Sequence, residues 1–394
     1  MRDDTIALRT GDFLMPAGEA RPSTAQKIPA LDGFRALSIL IVMASHSGLQ
    51  DRIPGVFGVT VFFFISGFLI TTLLIDEHRR SGTIAVGAFY MRRFLRLFPP
   101  LFVFVALSGA VWVAIGERLH PLGVVGALAY MTNYLVIFVP DIMQGIGGQL
   151  WSLAVEEHFY IFFPWLMLFV LPRRSMLVPT LVGLCIASLA VRIGVALAAP
   201  EEATQYNGIA TEARMDAILY GALAAILRDA PKARGLMDRL TRPSVVGIAL
   251  IILLATFLIR DPFFRSTLRY TIQSLALMPP ILALTSTSRF PVVRKLLDSR
   301  PLVMIGLLSY SLYLWHLAGL DLGNFAARHL SLPGILGWVL GWIITFGAAA
   351  LSYRLVERPF FSLRRRFGSH LHTQQTAAPA LVSPTLKLQD GRVA

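Results

Sequence analysis

The chemistry in this chain lies in a few charged and aromatic residues set inside long apolar runs. Arg35 and His46 share the stretch "LDGFRALSILIVMASHSG", residues 31–48. On an α-helix an offset of eleven residues turns the chain by about 1100°, close to three full turns, and separates the two along the axis by ~16 Å. They share a face and cannot touch, which fits one elongated ligand held at both ends. The plainer alternative is an arginine that snorkels to the headgroups and a histidine bonded to a neighbouring helix. A histidine so placed can act as a general base. Arg92, Arg93 and Arg96, in "GAFYMRRFLRLFPP", bring guanidinium forks to one helical face, a geometry suited to phosphate oxygens. The same cluster is also what an ordinary cytoplasmic loop carries.

"GQLWSLAVEEHFYIFFPW", residues 148–165, holds the adjacent carboxylates Glu156 and Glu157. Ser152 and Tyr160 lie four residues either side of Glu156 and so on its face. A carboxylate here could serve as a base, orient a histidine, or accept sugar hydroxyls. Arg214 and Asp216, in "ARMDAILYGALAA", fall on different helical faces and should reach different partners. Tyr310, Tyr313 and His316 recur every third residue in "GLLSYSLYLWHLAG"; His316 is either a functional group or a satisfied interior histidine. Glu357, beside Arg358, reads as a structural anchor. No HExxH, cysteine pair, GxSxG elbow or glycine-rich phosphate loop is present, so a metal is not expected.

The elements that must position these residues are membrane helices. The chain has 394 residues, 55% hydrophobic and 15% charged, well below the charge of an ordinary soluble domain. Apolar runs lie near 29–49, 55–75, 98–116, 121–140, 150–171, 176–198, 209–228, 244–260, 268–288, 301–323 and 333–356. Their lengths suit helices crossing a bilayer, and the alternation of a membrane β-barrel is missing. The fold class is therefore all-α, a polytopic transmembrane bundle. The formal net charge of +13 comes from arginines clustered between the runs, which argues for cytoplasmic loops and against nucleic acid. Cys185 is the only cysteine, which rules out an intrachain disulfide. Residues 1–28 lack the short apolar core of a cleaved signal, so the first helix is expected to insert uncleaved.

Segments 76–97, 172–175, 228–243, 289–300 and 357–370 are rich in arginine and should face the cytoplasm. Segments 139–149 and 199–207 lack Lys and Arg and should lie outside. Loop 260–269 must also be external, yet it carries Arg260, Arg265 and Arg269. An odd number of crossings must separate loop 76–97 from loop 139–149, but two apolar runs lie between them. One run should then be re-entrant, and 98–116, after its Pro-Pro break, is the expected one. This gives about ten spans plus a re-entrant element, in three segments: a cytoplasmic N-terminal segment over 1–28, a membrane domain over 29–360, and a cytoplasmic, unstructured tail over 361–394. So many ionisable groups within spans imply a polar chamber serving catalysis or transport. A polytopic transporter of a small polar or glycan substrate is the competing class, although no inverted repeat is visible.

Taken in order, "LDGFRALSILIVMASH", "GVTVFFFISGFLI", "RRFLRLFPP", "QLWSLAVEEHFYIFFP", "RMDAILYGALAA" and "SYSLYLWH" resemble the acyltransferase-3 family of integral membrane acyltransferases. The resemblance runs from residue 31 to about residue 360. Two positions depart from the family pattern: His158, where many members have glutamine, and Thr60, where an acidic residue is usual. The resemblance implies transfer of an acyl group, commonly acetyl from acetyl-CoA as co-substrate, to a carbohydrate hydroxyl. No permanently bound cofactor is implied. It further implies that Arg35, Arg92, Arg93 and Arg96 hold the coenzyme phosphates and that His46 is the general base or, as the lesser option, an acyl carrier. Glu156 or Glu157 would orient the imidazole or bind the acceptor. Trp151 and Tyr160 would stack on a sugar, with Ser152, Arg214, Asp216 and His316 in support. Some members carry an additional SGNH hydrolase-like domain. None is recognised here, so transfer is expected to finish in the membrane domain or with a separate periplasmic or glycan-synthesis partner. The expected location is the plasma (inner) membrane, among its lipids, with both termini in the cytoplasm.

Overall fold

The computed structural model describes residues 28–364, apart from residues 29 and 51. The expectations for the N-terminal segment and the tail fall outside the described residues, save for residue 28 and residues 361–364. Among the described residues every regular element is a helix, because apolar runs of this length can satisfy their backbone internally only as helices or closed barrels.

The chain opens with α1 (Leu31–Ala44), α2 (Gly55–Ser81) and α3 (Val86–Ala114), followed by two short helices, α4 (Pro121–Leu128) and α5 (Thr132–Phe138). Next come α6 (Trp151–Val170), α7 (Arg174–Ala198), α8 (Pro200–Ile209) and α9 (Thr211–Asp229). Then follow α10 (Arg234–Leu240), α11 (Pro243–Leu258), α12 (Pro262–Ser266), α13 (Leu268–Ser286) and α14 (Pro291–Leu297). The last three are α15 (Arg300–His329), α16 (Gly334–Ser352) and α17 (Arg358–Arg364). By length and apolar composition six helices could cross a membrane: α2, α3, α6, α7, α15 and α16, with α11 a seventh if joined to α10 across a 65° bend. The count is lower than ten because α1 ends after 14 residues in a π-turn, while α9 carries Glu212, Arg214, Asp216, Arg228 and Asp229.

Of the two runs between residues 98 and 140, it is the second that breaks. Val86–Ala114 is one continuous helix that passes through Pro99 and Pro100. The run at 121–140 is split into helices of 8 and 7 residues, too short to span. The two prolines remove two backbone donors, and the Tyr310 hydroxyl supplies one nearby by donating to the Leu97 carbonyl at 2.6 Å. The run expected to be re-entrant, 98–116, thus belongs to a helix long and apolar enough to cross a membrane, and the break falls within 121–140 instead.

α2 forms the axis of the bundle, with 78% of its apolar window buried, while α16 lies at the periphery with 22%. Close approach is made possible by glycines: a Cβ at Gly67 of α2 would lie 1.8 Å from the Ile218 carbonyl oxygen of α9, and one at Gly221 would lie 1.9 Å from that of Phe64. The arginine-rich segments meet at one end. Arg79 pairs with Asp229 at 3.3 Å, Arg289 with Asp238 at 3.4 Å, and the Ala30 amide donates to Asp298 at 2.8 Å. At the other end, Asn133 donates to Thr211 at 2.9 Å and Gln205 to the Val136 carbonyl at 2.9 Å. The arginine-rich segments 76–97, 228–243 and 289–300 thus contact one another.

Candidate active site

α1 loses its regular winding at Ser45–Leu49, where Gly48 takes φ 74°. This break places His46 at the end of the helix with its side chain exposed. The His46 Nδ1–H donates to the Val42 carbonyl at 2.9 Å. A carbonyl only accepts, so Nδ1 carries the proton and Nε2 keeps a free lone pair. Two tryptophans of α16 hold the break in place. The Trp342 indole N–H donates to the Ser47 hydroxyl at 2.8 Å, and a Cβ at Gly48 would stand 2.2 Å from the Trp338 ring.

His316 of α15 lies beside His46, with ring centroids 5.0 Å apart. It is fully buried, donates from Nδ1 to the Tyr313 carbonyl at 2.7 Å, and has no partner at Nε2. Both imidazoles are thus fixed in the same tautomer. The Tyr313 ring lies 5.4 Å from that of His316. Its hydroxyl donates to the Gln149 carbonyl at 2.5 Å and accepts from Ser152 at 2.6 Å. Ser152 therefore ties the start of α6 to the histidine pair.

The carboxylates of α6 form a second cluster. Arg93 reaches Glu157 at 3.4 Å and lies flat on the Tyr160 ring, 3.3 Å from its centroid. The Tyr160 hydroxyl bonds to Ser66 of α2. The groups acting most strongly on Glu156 are Arg93, Glu157, Ser66 and Arg35. Arg92 pairs with Glu77 at 3.2 Å, and Arg35 with Asp32 at 3.6 Å. Arg96 acts on both Glu157 and Glu357, and Glu357 accepts from the Ser311 hydroxyl.

This geometry changes two of the expected roles. The His46 imidazole is oriented by a backbone carbonyl, not by Glu156 or Glu157, since a π-turn brings Val42 into reach. Tyr160 is 1% exposed beneath Arg93, so its face is closed to a sugar. Of the two aromatics only Trp151, partly exposed and edge-on to Phe63 at 6.1 Å, keeps an open side. Arg214 and Asp216 do reach different partners. Asp216 pairs with Arg192 at 2.7 Å, both fully buried, while Arg214 donates to the Thr60 hydroxyl at 2.9 Å. Ser66 and Gln149 join the site without having been singled out, although a lone serine inside "FFFISGF" is a legible signal. Among the described residues no group of three or more His, Cys, Asp or Glu could hold a metal ion.

An acyltransferase domain model matches residues 28–354. The O-acetyltransferase OatA of Staphylococcus aureus strain NCTC 8325 is 30% identical over 352 residues, which cover 84% of this chain and 57% of that protein. The same protein in strain COL matches with the same identity and coverage. The chain thus spans little more than half the length of these curated relatives. No solved structure matches it. Its ordered motifs and the match over most of its length place the chain in the acyltransferase-3 family.

Proposed function

We propose that the protein is a membrane O-acyltransferase that moves an acyl group, acetyl in the first instance, from acyl-CoA to a hydroxyl of a carbohydrate. The observation that carries this reading is His46, an exposed imidazole with Nδ1–H committed to Val42 and Nε2 left as a base. In the transfer, Nε2 takes the acceptor's hydroxyl proton as its oxygen attacks the thioester carbonyl. The carbon–sulfur bond breaks, and the imidazolium returns the proton to the departing thiolate, so the coenzyme leaves as a thiol. Arg35, Arg92, Arg93 and Arg96 hold the coenzyme phosphates. Each guanidinium has five N–H donors, and ion pairs to Asp32, Glu77 and Glu157 orient those of Arg35, Arg92 and Arg93. Glu157 fixes Arg93, and Glu156 lines the same passage. Trp151, Ser152, Asp216 and His316 shape the acceptor side. The relatives named for O-acetyl transfer support acetyl as the group.

The arrangement in the membrane that goes with this reading has ten crossings, a broken element over 121–140, and both termini in the cytoplasm of a plasma membrane; contacts among the arginine-rich loops support a common side for them. Donor arginines then face the cytoplasm, and His46 lies toward the opposite side. The test is incubation of the full chain with radiolabelled acetyl-CoA and a panel of glycans, beside His46→Ala matched for expression. Label in a glycan that disappears in the variant supports the reading. Equal label in both proteins, or none in any glycan, overturns it.

A further inference from the structure

Arg214 is fully buried, and no carboxylate pairs with it among the described residues. Asp216, two residues on, is committed to Arg192 and to the Thr271 hydroxyl, which donates to it at 3.0 Å. Glu212, two residues before, accepts from the hydroxyls of Tyr134 and Tyr206. Arg214 has a single hydrogen bond, from Nη2 to Thr60, while Nε and Nη1 have no partner. Its guanidinium lies 3.8 Å from the Tyr270 ring centroid. A cation–π contact of that kind offsets only part of the cost of an isolated buried charge. Two buried nitrogens, carrying three N–H donors between them, and one positive charge are left over.

The surroundings add to that charge. Arg269 lies 5.3 Å from the same Tyr270 ring. Arg214 stands in the first turn of α9 and Tyr270 in the first turn of α13, each helix 19 residues long, so two positive helix ends converge here. Arg260 and Arg265, both exposed, belong to the loop whose charge conflicts with its external position. Asp261, the one acid in that loop, caps the Phe264 amide at 2.6 Å. An excess of arginine outside and an unpaired arginine beneath it call for the same complement, an oxyanion.

We propose that Arg214, with Arg269 on its outer side, is a binding site for an oxyanion, carboxylate or phosphate, and that the acceptor of acyl transfer is an anionic glycan. The second clause rests on the function proposed above. The site adjoins the histidine pair through a short relay. Phe63 lies 5.7 Å from the Arg214 guanidinium and packs on Trp151. Ser152, the next residue, bonds to Tyr313, which stacks toward His316. Arg214 and the histidine pair thus belong to one connected network of side chains.

Thr60→Asp tests the proposal, since it supplies Arg214 with an internal carboxylate that displaces the ligand. Thermal unfolding of the purified full chain is followed at constant ionic strength in chloride, glucuronate or inorganic phosphate. Wild type should gain ~3 °C in whichever of glucuronate and phosphate matches the site. Thr60→Asp should start higher and gain nothing. In the acylation assay, its preference for anionic over neutral glycans should fall about tenfold, the worth of a charge-assisted hydrogen bond. No gain in wild type with either anion, or the same gain in both proteins, overturns the site. Stabilisation confined to wild type with no label in any glycan keeps the oxyanion site and removes the acyltransferase reading.

Discussion

The two nitrogens of His46 have separate tasks, one bonded to its own helix and one free. His46→Ala should lower acyl transfer by about 10²–10⁴-fold with the protein still folded, measured as label transferred per mole of enzyme. His46→Gln should be no better, because an amide can bond to Val42 but cannot accept the hydroxyl proton. Asp216 serves a different purpose. Asp216→Asn strands the Arg192 charge in a fully buried position and should cost about 3–5 kcal/mol, seen as a lowered unfolding temperature in detergent. Much of this was legible residue by residue: the cost of an ionisable group in an apolar run marks His46, Arg214 and Asp216 unaided. What a single sequence lacks is partnership across the fold. His316 stands 270 residues from His46, and nothing local in either stretch reports that their rings meet. The Val42 carbonyl was equally hidden, since a backbone acceptor has no signature in residue type.

Among the elements, each of the apolar runs falls on one or more helices, because hydropathy over some twenty residues is a strong signal. Breaks within runs were harder to place. Pro99–Pro100 reads as a stop by its missing donors, yet α3 continues straight through both prolines. The break at 121–140 has no such marker and falls where Tyr130 adopts φ 57°. Helix crossings were not legible either, since a glycine in an apolar run does not name the helix it meets. The α2–α9 crossing makes a direct prediction. Gly67→Ala or Gly221→Ala must push apart backbones whose carbonyls stand within 2 Å of the new Cβ. Each should destabilise by about 1–3 kcal/mol, whereas Gly183→Ala, with nothing within 4 Å, should be neutral in the same unfolding assay.

For the whole molecule, the meeting of arginine-rich loops at one end predicts a two-sided labelling pattern. Cys185 is the only cysteine and is buried, which leaves a quiet background for introduced thiols. Cysteines at Gly82 and Gly235 should react with a membrane-impermeant maleimide only in inverted vesicles, and those at Gly116 and Glu201 only in intact cells. Labelling of Gly116 from the inside would restore the re-entrant reading of 98–116. The π-turn that carries His46 has a further consequence, for the order of assembly. His46 ends the first of the described helices, but the Trp342–Ser47 bond that secures its turn spans 295 positions of sequence. A nascent chain inserting helix by helix therefore carries its base long before it can hold it in place. The acyl-transfer centre closes only when α16 docks, and a chain still on the ribosome has no finished site with which to consume the donor.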